Sequence, residues 1–137
     1  MTQSEQILKT RNLRLTKSRA SVLDFFLEQK YAVPHSDIEI ELDGLDRVTI
    51  YRTLNSFLEK GLIHEINDGS GALKYAICKE HCIDGKHLDN HVHFKCTRCG
   101  QTSCLESIHI PKIELPQGYT IKNASLLMEG ICTECNG

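Results

Sequence analysis

Two cysteine pairs, Cys96-x-x-Cys99 and Cys132-x-x-Cys135, constrain this chain more than any other feature. A C-x-x-C turn directs two sulfurs at one point, and two such turns furnish the four thiolates of a tetrahedral structural zinc site. A redox dithiol pair competes with this reading, but two paired units suit one metal better than two active sites. All seven cysteines lie between Cys78 and Cys135, and five of the seven histidines (His81, His87, His91, His93 and His109) share that half. The opening MTQSEQILKT has no apolar stretch of the kind an export signal needs. A cytoplasmic location with reduced thiols is therefore expected, and a disulfide framework is not. No apolar run is long enough for a bilayer, so no membrane partner is expected.

Such an uneven distribution predicts two modules within the 137 residues: 1–80, a polar linker at 81–90, and 91–137. The second is too small to hold together on a hydrophobic core alone, and a structural metal supplies what the core lacks. Thirty-two residues separate the two cysteine pairs, enough for a small sheet between them. A closed four-cysteine shell keeps no open position, which argues for no catalytic role and no small organic substrate. His91-Val92-His93 precedes the first pair. In a strand the two imidazoles point to the same side, and because the four-cysteine shell is already complete, they point to a second metal.

The first module carries helix signals throughout. Thr2 with Glu5 forms a capping box for a helix ending near Thr10, and Thr16 caps a second helix through Gln29 with Ala20, Leu23, Phe26 and Leu27 at helical spacing. Ser36 with Glu39 predicts a third helix ended by Gly44. Asp46 caps a fourth, Arg47–Lys60, with Gly61 at the left-handed C-terminal position. Its apolar face is Ile50, Leu54, Phe57 and Leu58; the opposite face holds Thr49, Arg52, Thr53, Asn55 and Ser56, with Arg47 and Tyr51 at the rim. Two β-like runs, Leu62–Ile66 and Ala72–Ile77, flank Asn67-Asp68-Gly69-Ser70-Gly71, which is hairpin chemistry. Helices followed by a hairpin make a winged helix-turn-helix pattern. A formal charge of −2 does not announce a nucleic-acid binder. The evidence for one is local: the polar face of the fourth helix and the basic stretch Lys9, Arg11, Arg14, Lys17, Arg19. A simply solvated helix would show a similar face.

These pieces resemble the ferric uptake regulator family of bacterial metal-dependent repressors. The resemblance rests on Leu13-Arg14-Leu15-Thr16-x-x-Arg19, Val48-Thr49-Ile50-Tyr51-Arg52-Thr53-Leu54, His91-x-His93-x-x-Cys96-x-x-Cys99-Gly100 and Cys132-x-x-Cys135. It implies an α+β chain: an N-terminal winged helix-turn-helix DNA-binding domain, then a small α/β dimerisation domain with a four-cysteine zinc site. It also implies a homodimer on an inverted-repeat operator in double-stranded DNA, with Tyr51 and Arg52 touching DNA and Arg14 reaching a minor groove. Arg19, Arg47, Thr49 and Asn55 complete the expected DNA face. Departures from iron-type members are visible. Ala32, Ala76, Val92 and Ala124 stand where those members carry ligands or an acidic residue, so their auxiliary site looks dismantled. Pro111 and Pro116 interrupt the segment where the dimerisation helix is usual.

What remains resembles the zinc uptake regulator subgroup. That resemblance assigns a regulatory site to His64, Cys78, His91 and His93, with Cys104 a further candidate at a position often held by Glu. Cys82, His81 and His87 lie close enough in sequence to contribute. Thiolate and imidazole ligands suit zinc, whereas iron(II) and manganese(II) sensors lean on carboxylates. An iron- or peroxide-sensing regulator of the same family is the alternative. A zinc-storage or zinc-dependent hydrolytic protein is an alternative of another class. No Glu beside the His-x-His pair offers a general base, so an enzyme is not expected.

Overall fold

The computed structural model describes residues 2–77, 91–109, 111–121, 124 and 126–136; the side chains of residues 91, 106, 107 and 109 lie outside the description. The first helix, α1 (Gln3–Thr10), starts on Thr2, whose hydroxyl accepts the Glu5 N–H at 3.2 Å while the Glu5 carboxylate returns to the Thr2 N–H. Helix α2 (Lys17–Glu28) starts on Thr16, which accepts the Arg19 N–H at 3.1 Å. Its buried arc is Val22, Leu23, Phe25 and Phe26, wider than the expected stripe, in which Ala20 and Leu27 are only half-buried. The helix is packed on several sides, so a single stripe understates what it buries.

Strand β1 (Val33–Pro34) is two residues long and leads directly into α3 (His35–Glu41). This corrects the expectation of a Ser36 cap. Pro34 is the N-cap, with extended backbone and no side-chain capping bond, and Ser36 lies inside the first turn. Proline's fixed φ sets the entry of the helix, and its missing N–H is lost where none is required. Helix α4 (Arg47–Glu59) starts on Asp46, whose carboxylate accepts the Thr49 N–H at 2.9 Å. The chain then leaves through Gly61 at φ 68°, a left-handed turn that glycine adopts without strain. Strands β2 (Ile63–Ile66) and β3 (Lys74–Ile77) form the wing, and β1 adds to its far edge in the order β1-β3-β2, all antiparallel. Leu8, Val22, Leu23, Phe26, Ile38, Ile50, Leu54, Phe57, Leu62 and Ile63 form the core between helices and wing.

A second sheet follows: β4 (His91–Cys96), β5 (Thr102–His109) and β6 (Leu126–Gly130), in the order β5-β4-β6. β4 runs antiparallel to β5 and parallel to β6. A single turn, α5 (Thr133–Asn136), ends the chain. Among the described residues between β5 and β6 there is no helix, so the long helix usual there is not built from residues 111–121. No helix among the described residues is long and apolar enough to cross a membrane.

The two sheets are fastened where the wing loop meets β5. Asp68 is fully buried; its carboxylate takes Thr102 Oγ1 at 2.6 Å, the Ser70 N–H at 3.0 Å and Lys74 Nζ at 2.8 Å. Lys95 Nζ donates to the Asp68 carbonyl at 3.3 Å, and the Ala32 N–H donates to the Thr102 carbonyl at 2.7 Å. At the surface, Lys30 and Tyr31 both bond the Glu134 carboxylate.

Candidate metal centres and nucleic-acid interface

The first cysteine pair sits at the turn from β4 to β5. Gly100, at φ 78°, closes that turn; its N–H returns to the Cys96 carbonyl at 2.9 Å. The second pair lies where β6 runs out into α5. Because β6 lies parallel to β4, with Gly130 opposite Cys96, it delivers Cys132 to the first knuckle. The Cys132 and Cys99 N–H groups both point at Cys96 Sγ, at 3.4 Å each, and Cys99 Sγ lies 3.9 Å from Cys132 Sγ. The sulfurs of Cys96, Cys99, Cys132 and Cys135 lie within 4.8 Å of one another.

The backbone and the neighbouring sulfurs perturb the thiols of this cluster in opposite directions. The backbone N–H groups of Cys99 and Cys132 pull the Cys96 thiol down to about 6. The neighbouring Cys132 and Cys96 sulfurs push the Cys135 thiol up to about 12. One thiolate forms readily, but full ionisation of the group is opposed by its own charge until a cation is present. Four sulfurs in this arrangement fit zinc.

A second cluster joins the two sheets. His93 lies directly opposite Cys104 in the β4–β5 ladder, so the two side chains are cross-strand neighbours. His64 comes from the wing. In β2, Ile63 belongs to the helical core, and His64, one residue on, faces the other way by strand alternation. His64 and His93 are almost fully buried, 2% and 3% exposed, with rings edge to face at 4.9 Å. Ligand atoms of His64, His93 and Cys104 all lie within 4.8 Å of one another. Two imidazoles and a thiol in one buried place fit a borderline-soft divalent ion.

Of the expected regulatory set, the structure thus brings His64 and His93 together and adds Cys104. Cys78 lies outside the described residues, as do His81, Cys82 and His87, and so does the side chain of His91. The β4–β5 register breaks between His91 and Val92. Strand alternation therefore does not by itself carry His91 to the side of His93.

Arg14, Thr16, Ser18, Arg19, Thr49, Arg52, Thr53 and Ser56, from α2, the loop before it and α4, line an open concavity of about 360 Å³. Three of the expected DNA-face arginines meet here. Arg19 Nη1 donates to the Arg14 carbonyl at 2.7 Å, which ties the loop before α2 to that helix. Thr53 is 5% exposed and its hydroxyl bonds back to the Thr49 carbonyl at 2.8 Å, so it is not part of a freely solvated face. Tyr51 and Asn55 are exposed on an adjoining stripe of α4. Arg47, also exposed, donates from Nε to Glu39 at 2.6 Å. No local signal marks the Asp68 network, because Asn-Asp-Gly reads as turn chemistry, and the turn bond to Ser70 is indeed made.

Helices, wing and cysteine-bearing sheet define a winged-helix protein with two clusters of metal-ligating side chains. Residues 10–129 match the model of the ferric uptake regulator family. The ferric uptake regulation protein of Staphylococcus aureus (strain Mu50 / ATCC 700699) is 32% identical over 136 residues, 95% of this chain and 93% of that one. That of Neisseria gonorrhoeae is 30% identical over 142 residues, 93% of this chain and 90% of that one. A solved zinc uptake regulator complexed with zinc and DNA shares the fold at a TM-score of 0.69 and 23% identity, over 98% of this chain and 91% of that one. The chain belongs to the ferric uptake regulator family.

Proposed function

We propose that this protein is a zinc-responsive transcriptional repressor, a cytoplasmic homodimer that binds an inverted-repeat operator when a regulatory zinc site is filled. The observation that carries the reading is the His64, His93 and Cys104 cluster, which draws ligands from the wing and from the β4–β5 pair. Cys78 and His91 complete the proposed set. The donor chemistry favours zinc over iron(II) or manganese(II), because the described cluster has no carboxylate. The solved relative complexed with zinc and DNA supports the same choice.

Cys96, Cys99, Cys132 and Cys135 are assigned to the structural zinc. Residues 1–80 are assigned to DNA binding and 91–137 to metal binding and dimerisation, with 81–90 between them. Zinc at the regulatory cluster would supply a crosslink between wing and second sheet. The chain's own residues do the rest. His64 and His93 are already buried side by side, so little rearrangement is required of them. Arg14, Arg19 and Arg52 surround a concavity suited to phosphate oxygens, while Thr49, Tyr51 and Asn55 present groups to base edges. A dimer fits an inverted repeat only when its two reading heads match the half-site spacing. Exposed Ile113, Tyr119 and Ile121 offer apolar surface for the second copy. A coupling of about 3 kcal/mol between metal and DNA corresponds to roughly a hundredfold change in affinity.

Metal analysis of protein purified with and without a strong chelator tests this assignment. Two zinc ions per chain are expected, one resisting mild chelation. Cys96→Ser should lose the resistant ion together with the fold of the second module. Protein that takes up iron(II) in preference to zinc at the second site would favour the iron-sensing alternative.

A further inference from the structure

The aromatic ring of Tyr51 does not stand alone on α4. The imidazole of His35, the first residue of α3, stacks on it with ring centroids 4.1 Å apart and planes inclined by 26°. Its Nδ1 lies 3.6 Å from Glu39 Oε1, the same oxygen that accepts Arg47 Nε at 2.6 Å. Its Nε2 is buried and makes no hydrogen bond among the described residues. A histidine that buries a polar nitrogen without a bond gives up stability at that atom. Its ring stacks on a residue of the proposed DNA face.

We infer that His35 is the positioning residue for Tyr51, a platform that fixes the phenol ring in the rotamer α4 presents to the DNA groove. This inference rests on the DNA-binding reading proposed above. An exposed tyrosine samples several χ1 wells, and binding must select one. Stacking makes that selection in the free protein: one face of the ring rests on the imidazole, while the residue remains 47% exposed. Ring stacking and reduced ordering on binding together are worth about three- to tenfold in affinity. Arg47–Glu39–His35–Tyr51 is thus a chain of contacts from α4 through α3 and back to α4.

The test is a double-mutant cycle on the full-length zinc-loaded protein, with a duplex selected from a random-sequence pool by the wild type as probe. His35→Ala should weaken binding about three- to tenfold with metal content and melting temperature unchanged. His35→Phe keeps a flat ring and should restore binding to near wild type. In a Tyr51→Ala background, His35→Ala should cost nothing further. In the free protein, the Tyr51 ring protons should carry a ring-current shift in NMR spectra of the wild type and His35→Phe that His35→Ala loses. If Tyr51→Ala weakens binding but His35→Ala does not, or if the two losses add, the platform is wrong and the DNA reading stands. If Tyr51→Ala itself binds like wild type, the DNA face was misplaced and the inference falls with it.

Discussion

Asp68 shows how one buried carboxylate can depend on pH. Burial alone would push its pKa up, but hydrogen bonds from Lys74, Ser70 and Thr102 outweigh burial and hold it well below the usual carboxylate range. A depressed folded-state pKa contributes stability that is present above the unfolded value, about 3.9, and is lost as pH falls below it toward the folded value. Denaturant titrations at pH 7 and below pH 4 should therefore show wild type losing more stability on acidification than Asp68→Asn. Loss of zinc on cysteine protonation is common to both proteins and cancels in the difference. Equal acid sensitivity would mean the network contributes nothing to folding. Cys104 is the other residue whose chemistry decides something. Cys104→Ser should keep the four-cysteine zinc and lower zinc affinity at the second site. Cys104→Glu, with a hard oxygen donor, should shift preference toward iron(II) and manganese(II), measurable by competitive titration. Cys78→Ser should behave like Cys104→Ser if both are ligands.

At the scale of elements, local chemistry carried the prediction a long way. The Thr2, Thr16 and Asp46 caps, the Gly61 exit and the wing hairpin were legible because each depends on a few neighbouring residues. The third helix was misread at its start. Ser36 and Glu39 have capping-box spacing, yet Pro34 is committed to β1 opposite Lys74, a pairing across forty residues that no local signal encodes. The four-cysteine cluster was legible because its spacing is itself the geometry of the turn. The second cluster was legible only in part. Cys104 competed with several candidates until the register placed it opposite His93. Two-residue β1 and the Asp68 contacts were invisible for the same nonlocal reason. The Asp46 cap provides a test at this scale. Asp46→Ala leaves the Thr49 N–H without its partner and should cost about 1 kcal/mol, read as a lower denaturation midpoint. An unchanged midpoint would mean that packing alone positions α4.

Across the whole molecule, the wing is the shared element. One face of it closes the helical core; the other offers His64 to the second sheet, and its loop places Asp68 against Thr102. A regulator built this way already has polar contacts between its modules before any metal arrives, so a regulatory metal has only to bias an arrangement the chain can reach. The proposed phosphate contacts through Arg14, Arg19 and Arg52 predict an affinity that falls steeply with salt, so comparisons of affinity must be made at fixed ionic strength. The most direct test is the DNA affinity of chelator-treated protein measured across buffered free zinc, for wild type and His93→Ala, on a duplex selected from a random pool. Wild-type affinity should rise roughly a hundredfold as the second site fills, while His93→Ala keeps its structural zinc and stays flat. DNA affinity indifferent to zinc in the wild type, or an equal rise in His93→Ala, would contradict it.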